Sequence, residues 1–263
     1  MSTTKTTVDD VVRAVARDTP AFTPTAPAPG NSFTSELLGA LRRDQPAPPP
    51  QPKPAWEPLP TLDAIAGVLL TMLTHRVPAA RRHAAAVAHY AGELGRAAGF
   101  TGAQRTVVRT AGLLHDLGTL AFRDHLLLDR CELQPGERAQ VERHPVDGVR
   151  LMMRLPGMRE VAEAVLSHHE RYDGTGYPNG LAGEWIPLSA RILAVAEVYD
   201  TLTAPDRYRA PLPPDLAQQE LGLIAGSQLD PELVELFVSH VLPLGHEAHG
   251  ARIAVLEAEL AAS

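Results

Sequence analysis

Apolar residues recur at spacings of three and four along most of the chain from Thr61 onward, which is the pattern of amphipathic helices packed against a core. This part of the sequence has neither the alternating pattern of a half-buried strand nor a two-residue hairpin turn, so we expect few strands. The pattern predicts helices over Ala79–Ala98, Ala103–Asp116, Pro135–Leu155, Arg159–Glu170, Leu188–Ala204, Pro214–Ile224 and Pro231–Val241. The predicted fold class is therefore all-α.

Residues that typically begin and end helices agree with these boundaries. Gly99 ends the helix that starts near Ala79, and Asp230-Pro231 is typical of an N-cap followed by a first-turn proline. We therefore expect a helical domain over residues 61–245. A last helix in residues 246–263, over Glu247–Ala262, would pack on this domain or form a contact in a homodimer.

The first 60 residues have a different composition. Half of the 24 prolines lie between Pro20 and Pro60, which prevents the chain from propagating a helix or pairing as a central strand. We expect residues 1–60 to form a disordered, proline-rich tail and linker. Two islands, Val8–Ala16 and Ser35–Arg43, predict transient helices. The alternative is a docking motif for a protein partner, with one face formed by Phe33, Leu37, Leu38 and Leu41.

Charge and composition narrow the possible functions. The formal net charge of −7 lies entirely in residues 60–263, which argues against a general binder of DNA or RNA. Cys131 is the only cysteine and the N-terminus lacks the pattern of a secretion signal, so we expect a cytoplasmic protein. The longest apolar stretch, around Ala64–Leu73, is too short to insert across a membrane, which needs about 20 residues.

Two pairs of polar residues end apolar helical patterns. His115-Asp116 follows AGLL, and His168-His169 follows VAEAVLS. Buried side chains of this kind need compensating partners, and imidazole with carboxylate suits iron, manganese, zinc or nickel. Adjacent residues on a helix point about 100° apart, so each pair could reach two ions or two corners of one. The sequence therefore predicts a metal site. We interpret the other histidines as ordinary half-exposed or hydrogen-bonded residues: His75, His89, His125, His240, His246 and His249.

Five motifs follow one another along the helical part of the chain. They are His83, His115-Asp116, His144-Pro145, His168-His169-Glu170 and DGTGYP (Asp173–Pro178). In this order and approximate spacing they resemble the HD-GYP family. The segment HHERYDGTGYPNGLAGEWIPLSARILAVAEVYDTLT is very similar to that family's signature. The resemblance covers about residues 61–241 and leaves out the proline-rich tail.

Members of that family are helical bundles with a buried metal centre, and they hydrolyse cyclic di-GMP to pGpG or GMP. The resemblance implies an HD-superfamily bundle that binds two divalent transition-metal ions, with iron and manganese as the first candidates. One ion would be held by His83, His115, Asp116 and Glu197, and the other by His144, His168 and His169, with Asp116 bridging. His115 and Asp116 would be the catalytic pair. Ala79 stands where some members carry a glutamate for a third ion, so we expect two.

The resemblance also implies where the substrate binds. The glycines of DGTGYP would let the backbone approach a bulky dinucleotide, with Gly176, Tyr177 and Pro178 in contact with a base or phosphate. The alternative for this loop is an ordinary turn between helices. Arg207 and Arg209 would contact a substrate phosphate, and the alternative for them is a solvated, charged turn.

Three positions depart from the family pattern. Thr119 stands in HDLGTL where a lysine near the substrate phosphate is expected, so a cation is lost. Glu197 replaces an aspartate, and it can still bind a metal; the alternative for it is a surface acid. Asp206 replaces the first arginine of an Arg-Pro-Tyr-Arg run, and Arg207 takes the place of the proline.

These observations support a metal-dependent cyclic di-GMP phosphodiesterase, which the lost cations could make slow. An alternative is a catalytically degenerate module of the same fold that serves as a cyclic di-GMP sensor or protein-interaction platform. A third hypothesis is an HD phosphohydrolase for another nucleotide, against which the GYP loop argues.

Overall fold

The computed structural model describes residues 61–122, 135–205 and 210–262. Across these residues the chain is helical, and its only β-type contact is an isolated bridge between Ala225 and Leu229. The all-α prediction is therefore confirmed. The expectations for residues 1–60, including both predicted helical islands, lie outside the described residues.

Ten α-helices are numbered here in chain order through the described part of the chain. They are α1 Leu62–Arg76, α2 Ala80–Ala97, α3 Gly102–Leu114, α4 Pro135–Val141, α5 His144–Met152, α6 Arg159–Leu166, α7 Leu188–Thr203, α8 Pro214–Ile224, α9 Pro231–Leu236 and α10 His246–Ala262. Three 3₁₀ segments and one π segment join them, at Leu117–Ala121, Gly183–Trp185, Leu242–Leu244 and Phe237–Val241. None of the described helices combines the length and hydropathy needed to cross a bilayer.

Helix α1 was not among the helices predicted from apolar spacing. Its sequence, LDAIAGVLLTMLTHR, is apolar on nearly every side, so it lacks the periodicity that marks an amphipathic helix. Its start is nevertheless ordinary, because the Thr61 hydroxyl accepts a hydrogen bond from the Ala64 amide at 3.2 Å. Leu70 and Leu73 are buried in the core, whereas Val68 and Met72 are exposed.

The single helix predicted over Pro135–Leu155 is wrong, because the chain forms two helices there. Helix α4 ends at Val141 and α5 begins at His144, with Pro145 in its first turn. A proline has no amide to donate to the carbonyl four residues earlier, so a continuous helix would leave the Val141 carbonyl without its partner. The break at this point also fixes the position of His144.

Helix α2 lies at the centre of the bundle and packs against α3, α7 and α10. Eleven of its residues are buried, and most of these are alanine or glycine. Close packing with α3 depends on Gly112, where a Cβ atom would lie 2.6 Å from the Cα atom of Ala88. The rings of Tyr90, Tyr199 and Phe237 join α2 and α7 to the π segment, with centroids 5.1 to 5.8 Å apart.

The C-terminal helix α10 packs against α2 in this chain. The buried His249 on α10 donates from Nε2 to the Val241 carbonyl at 2.9 Å, and its Nδ1 atom lies 2.8 Å from Nε2 of His89 on α2. These two histidines are thus hydrogen-bonded residues, as the sequence interpretation supposed. A homodimer contact through this helix stays a prediction.

Candidate metal centre

Three side chains from separate helical segments form a first group of possible metal ligands. His83 lies on α2, His115 directly follows α3, and Glu197 lies on α7. One ligand atom from each lies within 4.8 Å of the others. Both histidines are buried. The Glu197 carboxylate therefore lies with the two histidines, although its side chain is one methylene longer than that of the aspartate expected at this position.

A second group consists of three histidines. His144 begins α5, whereas His168 and His169 follow the end of α6. One nitrogen atom from each lies within 4.8 Å of the others. His144 and His168 are buried, and His169 is half-buried.

The Asp116 carboxylate lies between the two groups. Its Oδ2 atom is 3.4 Å from Nε2 of His115 in the first group, and its Oδ1 atom is 3.7 Å from Nε2 of His144 in the second. Each oxygen thus faces a different group, which is the arrangement a bridging ligand requires. The structure brings together all seven residues that the resemblance implied as ligands.

Three of the histidines are held in the same way. The Nδ1 atom of His115 lies 2.9 Å from the Gly112 carbonyl, that of His144 lies 2.8 Å from the Val141 carbonyl, and that of His168 lies 2.6 Å from the Val165 carbonyl. In each case the acceptor is three residues earlier, at or near a helix end where carbonyls lack amide partners. A carbonyl can only accept, so Nδ1 carries the proton and Nε2 is left as the ligand atom.

The fourth buried histidine of the two ligand groups, His83, is held differently, by a side chain that the sequence interpretation did not single out. Its Nδ1 atom lies 2.6 Å from Oδ2 of Asp200, which is completely buried on α7. Arg82 donates to the same carboxylate, at 3.0 and 3.2 Å. The sequence did contain a signal for Asp200: it lies three residues after Glu197 in the apolar pattern of α7, and a buried aspartate needs a partner.

The nitrogen atoms of these histidines indicate that a cation fits between them. Among the described residues, Nε2 of His115 is buried without a hydrogen-bond partner of good geometry, and the nearby charge is Oδ2 of Asp116 at 3.4 Å. Nε2 of His144 and Nε2 of His168 are 3.3 Å apart, and with both Nδ1 atoms donating, the neutral rings would point two lone pairs at each other. A bound cation would resolve both features. Imidazole and carboxylate donors together suit divalent transition metals.

The electrostatics agree with a ligand role for Asp116, His168 and His169. Burial alone would lower the pKa of His115, but the Asp116 carboxylate outweighs it and raises that pKa to about 9, so His115 must release a proton when a metal binds at its Nε2. Desolvation opposes ionisation of Asp116, but the neighbouring His115 and His144 rings hold its pKa well below the usual range. Burial lowers the pKa of both His168 and His169. Asp116 therefore stays ionised, and His168 and His169 stay neutral, as metal ligands must be.

The DGTGYP loop folds back over the second group. At Gly176 a Cβ atom would lie 2.2 Å from the Arg171 amide nitrogen and 2.5 Å from the His169 carbonyl oxygen, so only glycine fits. The next residue, Tyr177, places its ring 4.9 Å from that of His169. Pro178 follows through a cis peptide bond and is exposed.

Glu170 holds the end of this loop and is not part of either ligand group. Its buried carboxylate accepts hydrogen bonds from the Asn179 amide at 2.7 Å and from the Leu181 amide at 3.0 Å. Asp173 makes the first turn by accepting from the Thr175 amide at 3.0 Å. The loop is therefore fixed by two carboxylates that bind its backbone.

A cavity of about 390 Å³ opens beside the ligand groups, between α7 and α8. Its polar lining consists of His168, His169, Glu170, Arg171, Glu197, Thr201, Glu220 and Gln228. Arg171 is oriented by hydrogen bonds to Asp173 and to Gln228, at 2.9 and 3.1 Å. A charged ligand in this cavity would touch both the ligand groups and a guanidinium.

Thr119 does not supply the cation that its position carries in the family pattern. Its hydroxyl donates to the Asp116 carbonyl at 2.7 Å and so belongs to the local 3₁₀ turn. Asp206, Arg207 and Arg209 lie outside the described residues, and contact between the two arginines and a substrate phosphate stays a prediction.

Comparisons with known proteins agree with this arrangement. The model of the HD domain family matches residues 67–233. The chain is 35% identical over 160 residues to the 3′3′-cGAMP-specific phosphodiesterase 2 of Vibrio cholerae, covering 60% of this chain and 31% of that protein. It is 34% identical over 173 residues to a cyclic di-GMP phosphodiesterase of Thermotoga maritima, covering 65% and 47%. The chain therefore spans about a third to a half of these two relatives.

The fold is also that of a solved relative. The crystal structure of a cyclic GMP-AMP specific phosphodiesterase of V. cholerae superposes with a TM-score of 0.54 at 17% identity, covering 74% of this chain and 53% of that one. The family match spans more than half of the chain, including every predicted ligand. The resemblance found in the sequence is thus confirmed, and the chain belongs to the HD domain family.

Proposed function

We propose that this protein is a metal-dependent phosphodiesterase that hydrolyses cyclic di-GMP to pGpG or GMP. The observation that carries the proposal is the pair of ligand groups joined by one carboxylate. Two divalent transition-metal ions, iron or manganese, would be held at this centre. Their ligands are His83, His115 and Glu197 for one ion, His144, His168 and His169 for the other, and Asp116 for both.

Such a pair of ions, when bound, activates a water and neutralises charge on phosphoryl oxygens. The residues of the chain would bind and orient the substrate. The cavity between α7 and α8 has room beside both ligand groups, and Arg171 supplies a guanidinium suited to a phosphate. Gly176, Tyr177 and Pro178 would contact a base or a phosphate, with the Tyr177 ring next to that of His169. Arg207 and Arg209 would add phosphate contacts.

The test is a product assay. Protein loaded anaerobically with Fe(II) or Mn(II) is incubated with cyclic di-GMP, and the products are separated by chromatography. Formation of pGpG or GMP that disappears in the double variant His115→Ala/Asp116→Ala would support the proposal. Metal-loaded protein that cleaves nothing would refute it.

A hybrid dinucleotide is a second candidate substrate, because several relatives are named 3′3′-cGAMP-specific phosphodiesterases. The same assay with 3′3′-cGAMP at equal concentration compares the two. A higher kcat/KM for the hybrid would assign the protein to that substrate while leaving the metal chemistry unchanged.

The alternative of a sensor or interaction platform is favoured by one observation, the Thr119 hydroxyl committed to the Asp116 carbonyl where a cation is expected. In that case cyclic di-GMP would bind without being cleaved. Equilibrium binding measured by calorimetry, beside the product assay, separates the two functions. A panel of other nucleotides and phosphomonoesters tests the broader phosphohydrolase hypothesis.

A further inference from the structure

We propose that Asp200 is a positioning residue for one of the two ligand groups only, that of His83, His115 and Glu197, and that Arg82 holds it in place. The inference rests on the proposed function, since it concerns residues that orient a metal ligand. The first group differs from the second because one of its histidines, His83, is fixed by a side chain.

His83 cannot be oriented as the other buried histidines are. His115, His144 and His168 each use a backbone carbonyl three residues earlier, which is available because the helix ends or breaks there. His83 lies inside α2, where the carbonyl three residues earlier, that of Ala80, accepts the amide of the next turn. Its Nδ1 proton therefore needs a side-chain acceptor, and that acceptor is the Asp200 carboxylate, 2.6 Å away.

The direction of this hydrogen bond selects the ligand atom. An ionised carboxylate only accepts, so Nδ1 of His83 must donate and Nε2 keeps its lone pair for a metal. A carboxylate behind a metal-binding histidine also makes the ring more basic and fixes its plane. Without it, the ring would be free to turn or to change tautomer, and Nε2 would be lost as a ligand in part of the molecules.

Arg82 compensates the buried negative charge of the Asp200 carboxylate. Asp200 has no exposed surface, and a buried charge without a partner is strongly destabilising. One guanidinium nitrogen of Arg82 lies 3.0 Å from Oδ1 and 3.2 Å from Oδ2, leaving Oδ2 also to accept from His83. Two adjacent residues of α2 therefore contact the Asp200 carboxylate on α7. Arg82 neutralises this carboxylate, and His83 is oriented by it.

Within the described part of the chain, no carboxylate forms a hydrogen bond with a histidine of the second group. His144 and His168 are held by the Val141 and Val165 carbonyls, which a side-chain substitution at position 200 leaves in place. Substitution of Asp200 should therefore weaken one ion and spare the other. A residue with a merely structural role would instead affect both ions alike, through the stability of the fold.

The test compares Asp200→Asn with Asp230→Asn. Asp230 is a matched control because it is also buried and paired with an arginine, Arg191, but lies outside both ligand groups. Manganese bound per chain is measured during titration against a competing chelator, and the electron paramagnetic resonance spectrum reports whether the bound ions are coupled. Thermal unfolding of each metal-free variant checks the fold.

We expect the wild type and Asp230→Asn to bind two manganese ions with a coupled spectrum. Asp200→Asn should bind one ion with wild-type affinity and the other about 10- to 100-fold more weakly, with the spectrum of isolated ions. Wild-type affinity for both ions in Asp200→Asn, or an equal loss of both, would overturn the inference. A wild type that binds no manganese would refute the proposed function as well, which distinguishes the two failures.

The variant Arg82→Gln provides a second test if Asp200→Asn does not fold. The Arg82 side chain is partly exposed, with 27% of its surface accessible, and a glutamine amide can still donate toward the Asp200 carboxylate, so this variant should lose stability but still fold. We expect the same ion to be weakened, by a smaller factor, because the Asp200 carboxylate loses its guanidinium. Unchanged binding of both ions in Arg82→Gln would then overturn the inference.

Discussion

Replacing Gly118 with alanine should disturb both the stability of the protein and the spacing of its two ligand groups. Gly118 lies in the 3₁₀ segment just after Asp116, against the first turn of α5. A Cβ atom there would lie 1.9 Å from the His144 carbonyl oxygen and 2.7 Å from the Gly148 amide nitrogen. Real Cβ contacts are essentially never below 3.0 Å, so the two backbones must separate by about 1.1 Å. Both obstacles are backbone atoms, which cannot turn aside.

Overpacking of this kind costs about 1–3 kcal/mol and occasionally more, and we expect Gly118→Ala to lie at or above the upper end. The same movement carries His144 away from Asp116, where Nε2 and Oδ1 are now 3.7 Å apart. Misplacement by about 1 Å can cost roughly 100-fold in rate. A bridging carboxylate should therefore lose contact with one group, and both activity and bound metal should fall.

Urea unfolding and metal content measured on the same preparations test this reasoning. Gly222→Ala is the matched control, because Gly222 lies within α8 and a Cβ atom there would meet nothing within 4 Å. That control should gain about 0.5–1 kcal/mol, the ordinary preference of a helix for alanine over glycine. If Gly118→Ala unfolds at the same urea concentration as the wild type and binds as much metal, the close approach has no structural role.

Three further predictions concern the loop, the C-terminal helix and the metal. Glu170→Gln should lower the free energy of unfolding by about 1.5–3 kcal/mol, because it weakens the charged acceptor of the Asn179 and Leu181 amides. Hydrogen exchange at both amides should become faster while the metal content stays the same, and unchanged exchange would contradict this. Burial, and after it the nearby His249, lowers the pKa of His89 from 6.5 to about 4. Between these two pH values the unfolded chain binds a proton at this residue that the folded protein does not bind, so the free energy of unfolding decreases as pH falls from about 6.5 to about 4. Urea unfolding of His89→Gln at several pH values should show a shallower decline than the wild type over that window, and an identical decline would refute the assignment. Chelator treatment should lower the Tm, and Mn(II) should restore it, because an ion that binds only the folded state stabilises it; a Tm indifferent to both would argue against a metal centre.

Local sequence signals predicted much of this fold because they depend on near neighbours. Apolar residues three and four apart identified α2, α3 and α6 to α9, since such residues share one face of a helix. The same rule missed α1, whose residues are apolar on most sides and so have no periodicity. It also merged α4 and α5, although Pro145 removes the amide that a continuous helix needs at that point.

The ligand residues were implied by the motifs, but their chemical state was decided by the fold. The order of histidines and carboxylates in the sequence resembled a known family and named all seven residues that the structure brings together. Which nitrogen of each ring is available depends on where each helix ends, as for His115 and His168.

Contacts between distant parts of the chain were beyond the reach of sequence patterns. His83 and Asp200 are 117 residues apart, and they meet because α2 packs against α7. The close approach of Gly118 to His144 depends on how the 3₁₀ segment packs on α5. The sequence by itself determined most of the helices, because apolar spacing is encoded within a few neighbouring residues, and its resemblance to a known family implied the candidate ligands. The tertiary structure alone decided how the ligands are held and spaced, because packing fixes the distances between helices.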